Sequence, residues 1–354
     1  MYYPEKLKKG DTIGICAPSG GIAEPEDIKQ LEVAEQNLIE MGYKIIETQS
    51  VRKEEKGRSA SGEQRAKEFM ELLENEDVKL IIFASGGDFL VEMLDYLDFD
   101  KIKNLPPKWL QGYSDITGIS YLFNTILDIP TMYCQTIKDH AMKPLYRNLE
   151  DALKIEQGEE IEQNSFEKHQ KIVDFRIEDI DTITNEINVK EEKEELYKYD
   201  LTENVEWKNI TGEEKIHIKG RSLGGCLDCI KSYIGTKYDK AKEYIQRHKN
   251  DGIIWFLEAF EMSTPELYRT LWQMKNAGYF ENCTGIIFGR PLFIRNDYDT
   301  DFNETVKQVL GELNIPIICD ADIGHVKPQM AIVNGAILEI TSENGKGKVK
   351  TFLK

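Results

Sequence analysis

The chain has 354 residues, 40% hydrophobic and 31% charged, a globular composition with enough length for two cores. A formal net charge of −18 makes the phosphate term repulsive, which excludes a general affinity for nucleic acid polymers or anionic membranes. No apolar run reaches the roughly 18 residues that span a bilayer. The start, MYYPEKLKKGDTIGICAPSGG, lacks the apolar core and cleavage site of a secretory signal, so a cytoplasmic protein is expected.

In chain order, TIGICAP reads as a strand ending in a Pro-Ser-Gly-Gly turn, and residues 26–42 carry apolar positions at helical spacing up to Gly42. YKIIET is a strand, residues 60–76 a helix, and VKLIIFASGGD a strand running into glycines. FLVEMLDYL reads as a helix, WLQGYSD as a strand and ITGISYLFNTIL as a helix. This βαβα alternation over residues 1–135, within a first domain of residues 1–145, predicts a parallel sheet with helices on both faces. Ligands of such sheets bind beyond the C-terminal strand ends, where ASGGD and GYSD fall.

Residues 146–215 are charged, poor in glycine and weakly periodic, and are expected to form a linker or insertion with a strand or two, KIVDFRI among them. A second compact unit, 216–354, is strand-rich: IHIKGRSLGG, GIIWFLEAF, CTGIIFGR, IPIICDAD, AIVNGAILEI and KVKTFLK. Between them lie helices CLDCIKSYIG and STPELYRTLWQMKNAG, the latter capped by Ser263 or Thr264 with Pro265 in its first turn. Cys226 and Cys229 form the only C-x-x-C. With no second cysteine or histidine pair nearby, these two read as packed helix residues and no metal site is expected.

Three reactive residues follow strands: Ser114, Glu258 and His325. A serine needs a base to take its proton and a third group to orient that base, and these residue types are that inventory. Each has a plainer reading: Ser114 as a helix cap, His325 as a turn residue, Glu258 as a surface glutamate with Glu261 its rival for the acid role. The Asp115 amide, at a helix start, and the Ser85-Gly86-Gly87-Asp88 loop can supply backbone N–H groups to an oxyanion. The loop lacks the GK[ST] ending of a nucleotide-binding P-loop.

KKGDTIGICAPSGG, SGGD with LDYLDFD, GYSDIT, GRSLGGCLD, FLEAFE with YRTLWQM, GIIFGR and GHVKP with NGA resemble, in that order, the LD-carboxypeptidase and microcin-immunity family of serine peptidases. The resemblance covers nearly all of the chain outside 146–215. It implies an α/β protein with an N-terminal Rossmann-like (flavodoxin-like) domain, a mixed β-rich C-terminal domain, no cofactor, and a homodimer. By the matched motifs Ser114 would be the nucleophile, Glu258 the orienting acid and His325 the base. Gly87 and Asp115 would form the oxyanion hole, with Gly86 and Asp88 beside the substrate. Where other members carry Gly-Gly-Tyr-Gly this loop has Gly-Gly-Asp-Phe, and the length and the GRSLGGCLD stretch look closer to the microcin-immunity branch. The implied substrate is either a cell-wall tetrapeptide losing D-alanine or a peptidyl or aminoacyl nucleotide. For the nucleotide Trp207 is a candidate stacking platform, against the reading of a packed core tryptophan. A carboxypeptidase also needs a basic residue for the substrate carboxylate, and Arg221 and Lys327 lie near motif stretches. The alternative from another class is a non-catalytic protein whose glycine loops hold a small anionic ligand.

Overall fold

A computed structural model describes residues 1–172, 197–293 and 295–354. Most of the expected KIVDFRI strand lies outside the described residues. Five strands build the first sheet in the amino-terminal part: β1 (Thr12–Cys16), β2 (Lys44–Glu47), β3 (Val78–Phe83), β4 (Trp109–Gly112) and β5 (Thr131–Tyr133). They are mutually parallel in the order β5-β4-β3-β1-β2. Parallel neighbours need crossovers, and helices α1 (Pro25–Glu40) and α2 (Gly62–Glu74) supply two of them. Proline opens α1 above Glu26 and Asp27, and Ser61 caps α2 by accepting from the Gln64 N–H. FLVEMLDYL forms 3-10 turns over Leu90–Tyr96 rather than an α-helix. Its buried residues Leu90, Met93 and Leu94 are adjacent enough for the tighter winding to bury the same face.

The second sheet uses β6 (Glu162–Asn164), β9 (Lys208–Asn209), β10 (Lys215–Cys226), β11 (Ile253–Glu258), β12 (Cys283–Gly289), β13 (Ile317–Ala321), β15 (Ile337–Glu343) and β16 (Lys346–Phe352). Their order is β6-β16-β15-β10-β11-β12-β13-β9, parallel from β10 to β13 and antiparallel outside. A small ribbon pairs β7 (Lys168–His169) with β8 (Glu203–Asn204). The charged middle stretch thus contributes a helix, Arg147–Glu156, and both edges of the second sheet. Helix Thr264–Asn276 starts where expected, with Ser263 accepting from the Glu266 N–H.

One strand crosses between the halves. β14 (Ile332–Asn334), just after the His325 loop, leaves the carboxy-terminal unit and pairs antiparallel with β5, placing Ile332 opposite Tyr133. Packing repeats the connection. One core joins Phe83 and Leu122 to Leu223 and Trp255; another joins Met132 and Tyr133 to Phe256 and Ile323. Apolar burial at roughly 25 cal/mol per Å2 acts here across both sheets, so the ends of β4 and β11 are held at fixed separation. Among the described residues, no helix is long and apolar enough to cross a membrane.

Candidate active site

Strand β4 ends at Gly112, where a Cβ would stand 2.9 Å from Ile116 Cγ2 and 3.0 Å from Phe83 Cδ2. The chain can turn sharply there only because that atom is missing. Two residues on, Ser114 takes φ +64°, a left-handed conformation costing a non-glycine residue about 1–2 kcal/mol. It opens a 3-10 turn, Ser114–Ile116, that runs into helix Thr117–Leu127. Hydrogen bonds hold the turn from below. The Asp115 carboxylate accepts from Ser19 Oγ at 2.5 Å and from the Leu90 N–H at 2.9 Å. The Cys229 thiol donates to the Ser114 carbonyl at 3.6 Å. Burial raises the Asp115 pKa above its usual value, against the pull of those donors. Asp115 is therefore a framework residue through its side chain, with its main-chain N–H at the start of the turn.

From the other sheet, β11 delivers Glu258, fully buried. The loop after β13 delivers His325. Nδ1 of His325 lies 2.9 Å from Glu258 Oε2, and Nε2 lies 3.0 Å from Ser114 Oγ. The three residues thus form one hydrogen-bonded line, although 211 positions separate Ser114 from His325. Gly324 makes room for it: at φ +92°, a Cβ there would sit 2.7 Å from Glu258 Oε2. The imidazole is boxed by Phe260, stacked at 4.2 Å, and by Tyr113 at 5.0 Å between ring centroids. Glu261, the rival acid, is exposed at the cleft mouth.

The second oxygen of Glu258, Oε1, accepts from the Tyr133 hydroxyl at 2.7 Å. Burial pushes the Glu258 carboxyl up, but the attraction of His325 and the hydrogen bonds from His325, Tyr133 and Cys226 outweigh it, and the group titrates below its ordinary value. Burial, and then the Glu258 charge, push the Tyr133 phenol far above its ordinary range, so it stays a neutral donor. Tyr133→Phe removes one donor from a buried carboxylate, an expected cost of about 1–3 kcal/mol. Glu258 then protonates at higher pH, so the acid-side loss of activity moves upward in a pH–rate profile. An unshifted profile would assign Tyr133 to packing alone.

Gly86 faces the serine: a Cβ there would lie 2.9 Å from both Cβ and Oγ of Ser114. The Gly86 carbonyl accepts from the Gly20 N–H at 3.0 Å. Because C=O and N–H of a trans peptide point opposite ways, the Gly87 N–H is directed away from Gly20. Gly87 itself, at φ +143°, has no room for a side chain above Ser19. Asp88 is exposed, and it lines the same cleft as Gly86, Gly87 and Asp115.

The cleft has a volume of about 770 Å3 and is lined by both halves of the chain. Its lining includes Lys138, Asp139 and Lys327, and also Asp88, Asp228 and Glu261, which lie close enough together for the charges of Asp228 and Asp88 to act on Glu261. Cys226 and Cys229 line it as free thiols. Among the described residues, no group of three or more His, Cys, Asp or Glu side chains is placed to hold a metal.

Trp207 lies elsewhere. Its ring is 2% exposed, its indole N–H donates to Asp322 at 3.1 Å, and Gly347 packs directly on the ring. As placed, it offers no open face to a base, which corrects the stacking expectation in favour of a packed tryptophan. Arg221 is likewise buried, pairing with Asp251 at 2.7 Å and donating to the Gly335 carbonyl at 2.6 Å, outside the cleft lining. Sequence reasoning missed Tyr133, Tyr113, Phe260 and Ser19. None sits in a spacing that marks it, and each acts through a contact 60 or more positions away or through ring packing.

Residues 13–134 match the LD-carboxypeptidase N-terminal domain and residues 219–340 the LD-carboxypeptidase C-terminal domain. The probable murein peptide carboxypeptidase of Bacillus subtilis is 22% identical over 338 residues, covering 95% of this chain and 90% of that protein. The microcin C7 self-immunity protein MccF of Escherichia coli is 25% identical over 360 residues, covering 96% and 92%. A solved structure of MccF in complex with aspartyl sulfamoyl adenosine shares the fold, with a TM-score of 0.77, 23% identity, and coverage of 99% of this chain and 98% of that one. The two domain matches, in order and together spanning more than half of the sequence, show that the chain belongs to the LD-carboxypeptidase and microcin-immunity family.

Proposed function

We propose that the protein is a serine peptidase that hydrolyses an amide bond through Ser114, His325 and Glu258. The observation that carries this reading is the continuous hydrogen-bonded line from Glu258 through His325 to Ser114. His325 Nε2 takes the hydroxyl proton as Ser114 Oγ attacks the carbonyl carbon, and Glu258 stabilises the resulting imidazolium through Nδ1–H. The carbonyl oxygen gains negative charge between the N–H groups of Gly87 and Asp115. The imidazolium then gives its proton to the leaving nitrogen, the C–N bond breaks, and an acyl-serine remains. Water, deprotonated by the same histidine, releases the acid and restores the serine.

Two substrate classes follow from the relatives. A murein peptide suits the first, an aminoacyl or peptidyl sulfamoyl nucleotide the second. Trp207, packed as a core residue, lends no support to base stacking, and the lysines of the cleft suit a free carboxylate. The carboxypeptidase reading is therefore placed first, with antibiotic cleavage second. Mass spectrometry of wild type with a murein tetrapeptide ending in D-alanine, beside an aminoacyl sulfamoyl adenosine, tests the order. Release of D-alanine supports the first reading and release of the nucleotide moiety the second. If neither is cut, the peptidase reading falls for both classes and a small-ligand binding protein takes its place.

A further inference from the structure

Three lysines line the cleft, and their partners separate them. Lys138 pairs with Asp27 at 2.7 Å and Lys231 with Glu266. Asp27 and Glu266 stand outside the cleft lining, so both of these ammonium groups are tied to carboxylates that do not line the cleft. Lys327 pairs with Asp139 at 2.5 Å, and Asp139, 8% exposed, itself lines the cleft.

Several contacts fix Lys327 in the lining of the cleft that also holds Ser114 and His325. It follows His325 by two residues, and its carbonyl accepts from the Gln170 N–H at 2.8 Å. Its ammonium lies 5.3 Å from the centroid of the Tyr199 ring. Burial disfavours the charged ammonium, but Asp139 and Tyr113 more than compensate, and the group titrates above its usual value. An ammonium has three N–H donors. Asp139 Oδ1 is its one hydrogen-bond acceptor among the described residues, none of which takes up the other two donors.

Resting on the carboxypeptidase reading, we propose that Lys327, with Asp139 as its resting counter-ion, forms the subsite for the terminal carboxylate of a peptide substrate. Asp139 lowers the cost of keeping a part-buried cation before substrate arrives, and it also competes with the incoming carboxylate. The grouped carboxylates of Asp88, Asp228 and Glu261, which line the same cleft, repel a substrate carboxylate, so the acidic end of the peptide is favoured at Lys327.

The test measures binding without turnover. Calorimetry on the Ser114→Ala protein compares a tetrapeptide ending in D-alanine with the same peptide as its carboxamide. A charge-assisted contact predicts that the acid binds about tenfold more tightly. Adding Lys327→Met brings the ratio to about one with the carboxamide affinity unchanged. Adding Asp139→Asn, which removes the competitor and keeps the hydrogen-bonding shape, tightens the acid a few-fold. A merely structural lysine would not produce that gain.

The inference is overturned by equal affinity for acid and carboxamide, by an undiminished preference in the Lys327→Met protein, or by binding of neither peptide. Wild-type cleavage of both peptides at equal rates would overturn the subsite alone. Acid-selective binding with no cleavage by wild type would support the subsite while the peptidase reading fell.

Discussion

Ser114→Ala lowers kcat by about 10^4- to 10^6-fold on whichever peptide the wild type cleaves, the loss expected when a nucleophile that acts as one unit with its base is removed. The fold is expected to survive intact. Alanine and serine bear the same cost at φ +64°, and the lost hydroxyl gives up only its bond to His325. Ser114→Gly separates the two quantities further. It is equally inactive, but glycine relieves a left-handed conformation worth about 1 kcal/mol, so its Tm rises above that of wild type. The turn thus holds strain for the sake of where Oγ points. Turnover assays and thermal melts of the three proteins check this. Near wild-type kcat in the alanine protein would end the serine mechanism, whereas an inactive glycine protein with a lowered Tm would end the strain argument alone.

Glu258→Gln is expected to lower kcat by about 10^3- to 10^4-fold. Whichever way the amide turns, the charge that stabilises the imidazolium is gone, and with its NH2 toward Nδ1 the imidazole carries its proton on Nε2, the wrong tautomer for accepting from Ser114. The substitution also changes how stability depends on pH. Glu258 titrates below its ordinary value of 4.5 in the folded protein. Its contribution to stability is therefore fully present above the unfolded value and is lost as pH falls through the lower, folded value. The glutamine protein lacks that component, so its melting temperature falls less on acidification than that of wild type. Urea unfolding across the acid range measures the difference. Equal pH dependence in the two proteins would mean that the buried carboxylate is not held ionised by His325 and Tyr133, and a kcat within about tenfold of wild type would remove Glu258 from the mechanism.

Much of this protein is written in local pattern. The alternation of apolar strands and amphipathic helices in the first 135 residues determined a parallel sheet, because strands buried on both faces must be continuous apolar runs joined by crossovers. Glycine and serine after VKLIIFA and WLQGY marked the strand ends where a ligand site belongs, and Ser263 with Pro265 marked a helix start. Ser114, Glu258 and His325 were each legible as chemistry at a strand end. Their meeting was not. It depends on β14 crossing to pair with β5 and on two cores shared by both sheets, contacts between residues that no local periodicity relates. The same is true of Tyr133, an unremarkable residue of a three-residue strand until Glu258 arrives 125 positions later to accept its hydroxyl. Trp207 shows the converse: beside a charged stretch its sequence left both an exposed platform and a packed ring open, and only the Asp322 carboxylate and the bare face of Gly347 decided for the second. Local sequence sets which residues a strand end presents, because backbone geometry acts over a few positions. Burial and long-range pairing set which strand ends face one another, and that was left to the tertiary structure.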